Sequence, residues 1–163
     1  MTSFEILVDR FFHRIEKDRG FFRYFQLSDT EAMELANVRA ESLLYEAVSI
    51  ISLKTTTSVD FYDYDKENKT FNFDLNNSEI MLISSFMYQQ YLERDIAELK
   101  VLSVNYTSSN LKVFDPSNAR STFQALYDRV CEQNILLLDE YNNKDRDTNQ
   151  FLTIDYGSYE EDS

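Results

Sequence analysis

The residues with the means to do chemistry are few and widely spaced. The richest cluster is Asp63, Asp65 and Glu67, with Asp60 just before it. Carboxylates at alternate positions are what an EF-hand loop uses to surround calcium. Here the sixth position, counted from Asp63, is Asn68 where that loop needs glycine, and the twelfth is Asp74 where it needs glutamate. The flanks alternate like strands, so the spacing predicts a solvated acidic hairpin. His13 is the sole histidine and falls on the polar side of a helical pattern, where an exposed side chain is expected. Cys131 has no histidine at helical spacing and no second cysteine, which suits a reducing cytosol and gives neither a nucleophile pair nor a zinc set. The two glycines, Gly20 and Gly157, cannot build a phosphate-binding loop. The sequence thus predicts no catalytic residue, no metal ligand set and no cofactor: a protein that is not an enzyme.

The elements around these residues are helical. The longest helix signal runs from Ser78 to Leu102. It opens with a capping-box pattern, Asn76 at the N-cap and Glu79 three residues on. Ile80, Met81, Leu82, Ile83, Phe86, Met87, Tyr88, Tyr91 and Leu92 then cover most of the circumference, which predicts a helix buried on several sides. An amphipathic helix is expected over Ser3 to Lys17, with Phe4, Leu7, Val8, Phe11 and Ile15 inward and Gly20 as its stop. Phe21 to Leu27 is dense in aromatics and reads as a connector plugging the bundle end. Ser28 and Glu31 make a second capping box, starting a helix to about Leu53 whose stripe is Met33, Ala36, Ala40, Leu43, Leu44, Ala47 and Ile51. Its alanines allow close approach of a partner helix.

After a Thr-rich linker the period shortens to two, and a β-hairpin is expected over about 58–75, with strands Ser58–Tyr64 and Lys69–Leu75. A lone hairpin is marginal in water, so Phe61 and Phe73 become candidate contacts with the bundle or with another subunit. Asp115 and Pro116 open a last helix lined by Phe123, Leu126, Tyr127, Val130, Leu137, Leu138 and Tyr141. Asn134 falls inside that stripe, facing either the core or another subunit. Residues 1–146 therefore read as one all-α dominated bundle of about four helices with an inserted hairpin. Residues 147–163 read as an extended acidic tail. Its large side chains, Phe151, Ile154, Tyr156 and Tyr159, suit a segment that orders on a partner.

With 43% hydrophobic residues the chain has the material for a core, and two glycines with one proline favour long helices over many short strands. No apolar run approaches the roughly 18 residues of a membrane span, and no secretory leader is recognisable. A net charge of −13 disfavours tight contact with phosphate backbone or anionic membrane.

Three stretches carry a resemblance: Met87-Tyr88-Gln89-Gln90-Tyr91-Leu92-Glu93-Arg94-Asp95-Ile96, then Leu102-Ser103-Val104-Asn105-Tyr106-Thr107-Ser108, then Phe114-Asp115-Pro116-Ser117-Asn118-Ala119-Arg120. With Phe11 to Asp18 and Phe25 to Asp29, they resemble the small helical head–tail connector proteins of tailed bacteriophages. The resemblance lies in order, length and local wording rather than in a chemically constrained motif, and it transfers no catalytic or ligand residue. It implies an adaptor in the virion neck, made in the bacterial cytoplasm. Such a subunit forms a ring, commonly a dodecamer, under the portal protein and meets the next neck or tail protein. DNA passes through the ring without specific binding. The alternatives are another neck or tail-completion protein, or a cytoplasmic helical protein-interaction module.

Overall fold

The computed structural model describes residues 1–16, 19–22, 27–57, 59–105 and 116–152. The chain forms β1 (Thr2–Ser3), α1 (Phe4–Ile15), α2 (Arg19–Phe22), α3 (Asp29–Lys54), β2 (Tyr64–Asp65), β3 (Thr70–Phe71), α4 (Asn77–Asn105) and α5 (Pro116–Asn142). Four long helices pack as a bundle with a small antiparallel sheet of order β1-β3-β2 at one end. The helix α4 is central and packs on α1, α3 and α5. This is what its all-round apolar sequence demands: Leu82, Ile83, Phe86, Met87 and Leu92 are buried together.

Both capping boxes form. In α3 the Ser28 hydroxyl accepts from the Glu31 N–H, and the Glu31 carboxylate accepts from the Ser28 N–H. In α4 the Glu79 N–H donates to Asn76 Oδ1 (2.9 Å), and the Asn76 N–H donates to Glu79 Oε2 (2.8 Å). These reciprocal bonds satisfy donors that a helix start otherwise leaves open. All five apolar residues expected inward on α1 are buried. The stripe of α3 differs at three positions: it starts at Ala32, Val48 joins it, and Met33 is exposed. Ala32 lies one turn before Ala36, on the same face as Ala40 and Ala47. Met33 is rotated about 100° from it.

Three other expectations are corrected. Helix α1 ends at Ile15, and Gly20 lies inside the short helix α2 rather than at a stop. The strands of the hairpin are two residues each, far shorter than the alternation suggested. The residues before α1 are also not helical. They form β1, which pairs Thr2 with Phe71 and Ser3 with Thr70. Thr2 is fastened on both sides: its N–H donates to the Phe73 carbonyl (3.2 Å), and its hydroxyl accepts from the Leu75 N–H (2.8 Å). The hairpin turn is made by Asp65, whose carboxylate accepts the Glu67 and Asn68 N–H groups. Lys69 then takes a left-handed φ of 53° and sends its ammonium to Glu41 on α3.

Of the described residues of the expected aromatic connector, Phe21 and Phe22 pack inward and Leu27 is exposed. Phe21 is buried with its ring edge-on to Phe11 (5.6 Å) and Tyr91 (5.7 Å). Phe22 packs on Phe12. Residues 23–26 lie outside the described residues, as does the expected N-cap Asp115; Pro116 is the first residue of α5. Among the described residues, no helix is long and apolar enough to cross a membrane.

Candidate interaction site

Two chain segments far apart in sequence meet where α4 begins. Glu79 is completely buried there, a position a carboxylate occupies only when paired. Four donors surround it. Asn76 N–H and Arg146 Nη2 (3.2 Å) reach Oε2; the Tyr141 hydroxyl (2.8 Å) and Arg146 Nε (2.7 Å) reach Oε1. Arg146 Nη2 also donates to the Asp74 carbonyl (2.7 Å). The guanidinium thus clasps the carboxylate with two nitrogens and pins the turn after α5 to the segment between β3 and α4. Burial, with the adjoining Glu79 carboxylate, pushes the Tyr141 hydroxyl well above the ordinary tyrosine range. The bond to Glu79 likewise holds the Arg146 guanidinium above its ordinary value.

The turn itself is built by Asp145, whose Oδ1 accepts from the Thr148 N–H and hydroxyl, each at 2.8 Å. Those bonds hold the Asp145 carboxyl below its ordinary value. Residues 150–152 return antiparallel to 143–145: Asp145 N–H donates to the Gln150 carbonyl, and Leu152 N–H donates to the Asn143 carbonyl, both at 2.8 Å. Phe151 and Leu152 stand exposed on this return, at 66% and 61%, with the Lys144 ammonium 5.0 Å from the Phe151 ring centre.

A second polar line runs between α4 and α5. Asn134 is buried, which places it in the core. Its Oδ1 accepts from the Ser85 hydroxyl (2.6 Å); its amide donates to Gln89 Oε1 (2.7 Å) and the Ser85 carbonyl (3.2 Å). Arg14 of α1 donates to the Ser85 hydroxyl (3.1 Å) and lies over the Tyr88 ring at 4.1 Å. Beside this line, burial and Cys131 push the Tyr127 hydroxyl up to about 12.

The candidate contact residues separate. Phe61 is completely buried against Phe73 and Tyr141, so its side chain is spent on the protomer's own core and offers no surface to another subunit. Phe73 is half-buried beside it. Phe151 is exposed, and the backbone on either side of it is hydrogen-bonded within the protomer. Ile154, Tyr156 and Tyr159 lie outside the described residues. Of the acidic hairpin, Asp65 is engaged in its turn and Asp63 accepts from the Asn72 amide (2.6 Å). His13 is exposed. Among the described residues, no group of three or more His, Cys, Asp or Glu could hold a metal ion.

Among the described residues, exposed large apolar side chains stand on several elements, α3 and α5 included. On α3, Leu35 and Val38 lie one turn apart, the latter 63% exposed. On α5, Ile135 and Leu136 are 54% and 68% exposed; Leu136 lines a groove with Met81 of α4, and Ile135 projects about 100° around the helix from it. The helices α3 and α5 each pack on α4 and meet at the base of the bundle, where Asn142 accepts from Thr56 N–H and donates to the Lys54 carbonyl. No family model, no curated protein and no solved structure matches this chain.

Proposed function

We propose that the protein is a structural subunit of the virion of a tailed bacteriophage. It is an adaptor that forms a ring between the portal and the neck or tail and extends the DNA channel. The observation that carries this reading is the exposure of apolar side chains on two different helices, Leu35 with Val38 on α3 and Ile135 with Leu136 on α5. A closed ring needs two different faces on each copy, because successive subunits meet head to tail. The stretches 87–96, 102–108 and 114–120 support it by their resemblance to head–tail connectors. The net charge of −13 supports it as well: a bore lined with carboxylates lets DNA slide without adhering. In this reading the tail from Phe151 onward, with Ile154, Tyr156 and Tyr159, meets the portal.

Val38→Asp and Leu136→Asp test the two-face arrangement. Each variant alone should remain a monomer by light scattering, because each has lost one face. Mixed together they should give a dimer and nothing larger, since one productive contact survives between them. Electron micrographs of the unaltered protein with portal should show rings. Unaltered protein that stays monomeric with portal present, or variants that form rings, would defeat the reading.

A further inference from the structure

We propose that the outer face of α3 on one copy of this chain seats in the groove between α1, α4 and α5 of a second copy. The inference rests on the two-face reading above and names which face meets which. Met81, Leu136 and Leu137 give the groove an apolar floor, and Arg10 and Arg14 line it from α1, one turn apart. Glu140 lines it as well but is paired with Lys144. Among the described residues neither arginine has a carboxylate partner. Arg14 is held instead by the Ser85 hydroxyl and the Tyr88 ring. Two guanidinium groups without a counter-ion stand out in a chain with 29 acidic residues against 16 basic ones. They make this groove a surface for an apolar group that brings a carboxylate with it.

The outer face of α3 answers to that description. Leu35 and Val38 are exposed there. Glu34 precedes Val38 by one turn and so shares its side of the helix. Two other carboxylates beside Val38 are already engaged, Glu41 by Lys69 and Glu46 by Arg94. Glu34 is exposed and has no ion-pair partner among the described residues. Shape agrees with charge, because a helix presents a ridge and a furrow between helices accepts one. The two surfaces share no residue, so each copy can give one face and take the other. That is the head-to-tail contact from which rings close. Whole copies of charge −13 repel one another, but at physiological salt the repulsion fades within about 8 Å. The groups that touch then decide which surfaces stay together.

The test uses two variants of the full chain, both with Cys131→Ser, one carrying Val38→Cys and the other Leu136→Cys. One is labelled with heavy nitrogen, so that products are told apart by mass. Mixed without portal under mild oxidation, unlike chains should be joined at least about ten-fold faster than like chains. Arg10→Glu in the Leu136→Cys chain should slow this joining several-fold, and Glu34→Arg in the Val38→Cys chain should then restore it. Equal rates for like and unlike chains would overturn the proposal and leave the groove to another occupant. A rate that Arg10→Glu does not move, or a slowing that Glu34→Arg does not restore, would overturn it too. Ring formation with portal is read separately. Rings without a preference for unlike chains would remove this pairing and keep the adaptor reading; the preference without rings would do the reverse.

Discussion

The two flanks of α4 are held by different physics. On the α3 side the buried contact is apolar and rich in alanine, with Ala36, Ala40, Leu43, Leu44, Ala47 and Val48 all buried, and a part-buried link at its edge where Arg94 of α4 donates to Ser42 and Glu46. Backbones approach closely there, and dispersion and water exclusion supply the attraction. On the α5 side the same helix presents Glu79, Ser85 and Gln89 to Tyr141 and Asn134. Hydrogen bonds add little net stability, but leaving one unmade in a buried place is costly. A sliding α3 would trade one alanine contact for another and give up only the half-exposed Arg94–Glu46 pair, a small loss. A sliding α5 would strand Asn134 and Glu79. The α3 flank therefore supplies cohesion, and the α5 flank fixes register and the course of the chain after it.

The largest effects should come from the dry side. Ile83 and Met87 are fully buried on α4, and truncating either to Ala should cost about 2–5 kcal/mol through the cavity left behind. Equilibrium urea melts would show it. A loss under about 0.5 kcal/mol would mean the centre of the bundle is not packed as described. Phe61→Ser belongs to the same class: with its ring buried against Phe73 and Tyr141, it should lower stability by about 3–5 kcal/mol or more. Phe73→Ser should cost visibly less, because Phe73 is only half-buried. Equal losses would place both rings in the core alike.

The polar flank should respond less to loss and more to incomplete loss. Asn134→Ala leaves Gln89 and the Ser85 carbonyl without their partner and should cost about 1–3 kcal/mol. Replacing the group together, with Asn134→Leu, Ser85→Ala and Gln89→Leu, should recover most of that loss, because the stranded side chains are gone. Recovery in stability with broadened amide resonances along α5 would show that the line fixes register rather than strength. Glu79→Gln should loosen the clasp on Arg146 and speed hydrogen exchange over residues 143–152, while exchange in α3 stays as it was.

What the sequence made legible follows this division. Local signals were plain: both capping boxes, all five inward residues of α1, and the alanine stripe of α3 are written within one or two helical turns. Contacts across long separations were not. Two-residue β1 has no period to detect, and its partner strand lies at Thr70–Phe71. Arg146 sits in a polar stretch that resembles a frayed end, yet its partner is Glu79, 67 positions earlier. The only hint was that Glu79 belongs both to a capping box and to an otherwise apolar helix. Asn134 could be recognised as anomalous in its stripe, but nothing near it in sequence names Ser85 or Gln89 as the residues that satisfy it. Phe61 and Phe73 share an alternating pattern, and only packing separates the buried ring from the half-buried one.

The smallest predicted effect is a dependence on acid, and it touches both flanks. Three carboxyls are held below their ordinary values by bonds to backbone N–H groups: Glu31 by Ser28 at the start of α3, Asp65 by Asn68 in the hairpin, and Asp145 by Thr148 after α5. In each, folding lowers the pKa, so the unfolded chain binds the proton more readily. The stabilisation is then fully present above the unfolded values of about 3.9 for Asp and 4.3 for Glu, and it fades as pH falls through the lower folded values. All three groups are at the surface, where water and salt weaken each contribution. Protonation also relieves the repulsion within a chain of net charge −13, which opposes the loss. The melting temperature should therefore hold steady down to about pH 5 and decline below about pH 4. Glu31→Gln and Asp145→Asn should each flatten that decline a little. If the flanks differ as argued, Asp145→Asn alone should also speed amide exchange over 143–152, because no buried apolar side chain of its own backs the turn there. An equal rise in exchange at the start of α3 in the Glu31→Gln variant would erase the distinction between the two sides.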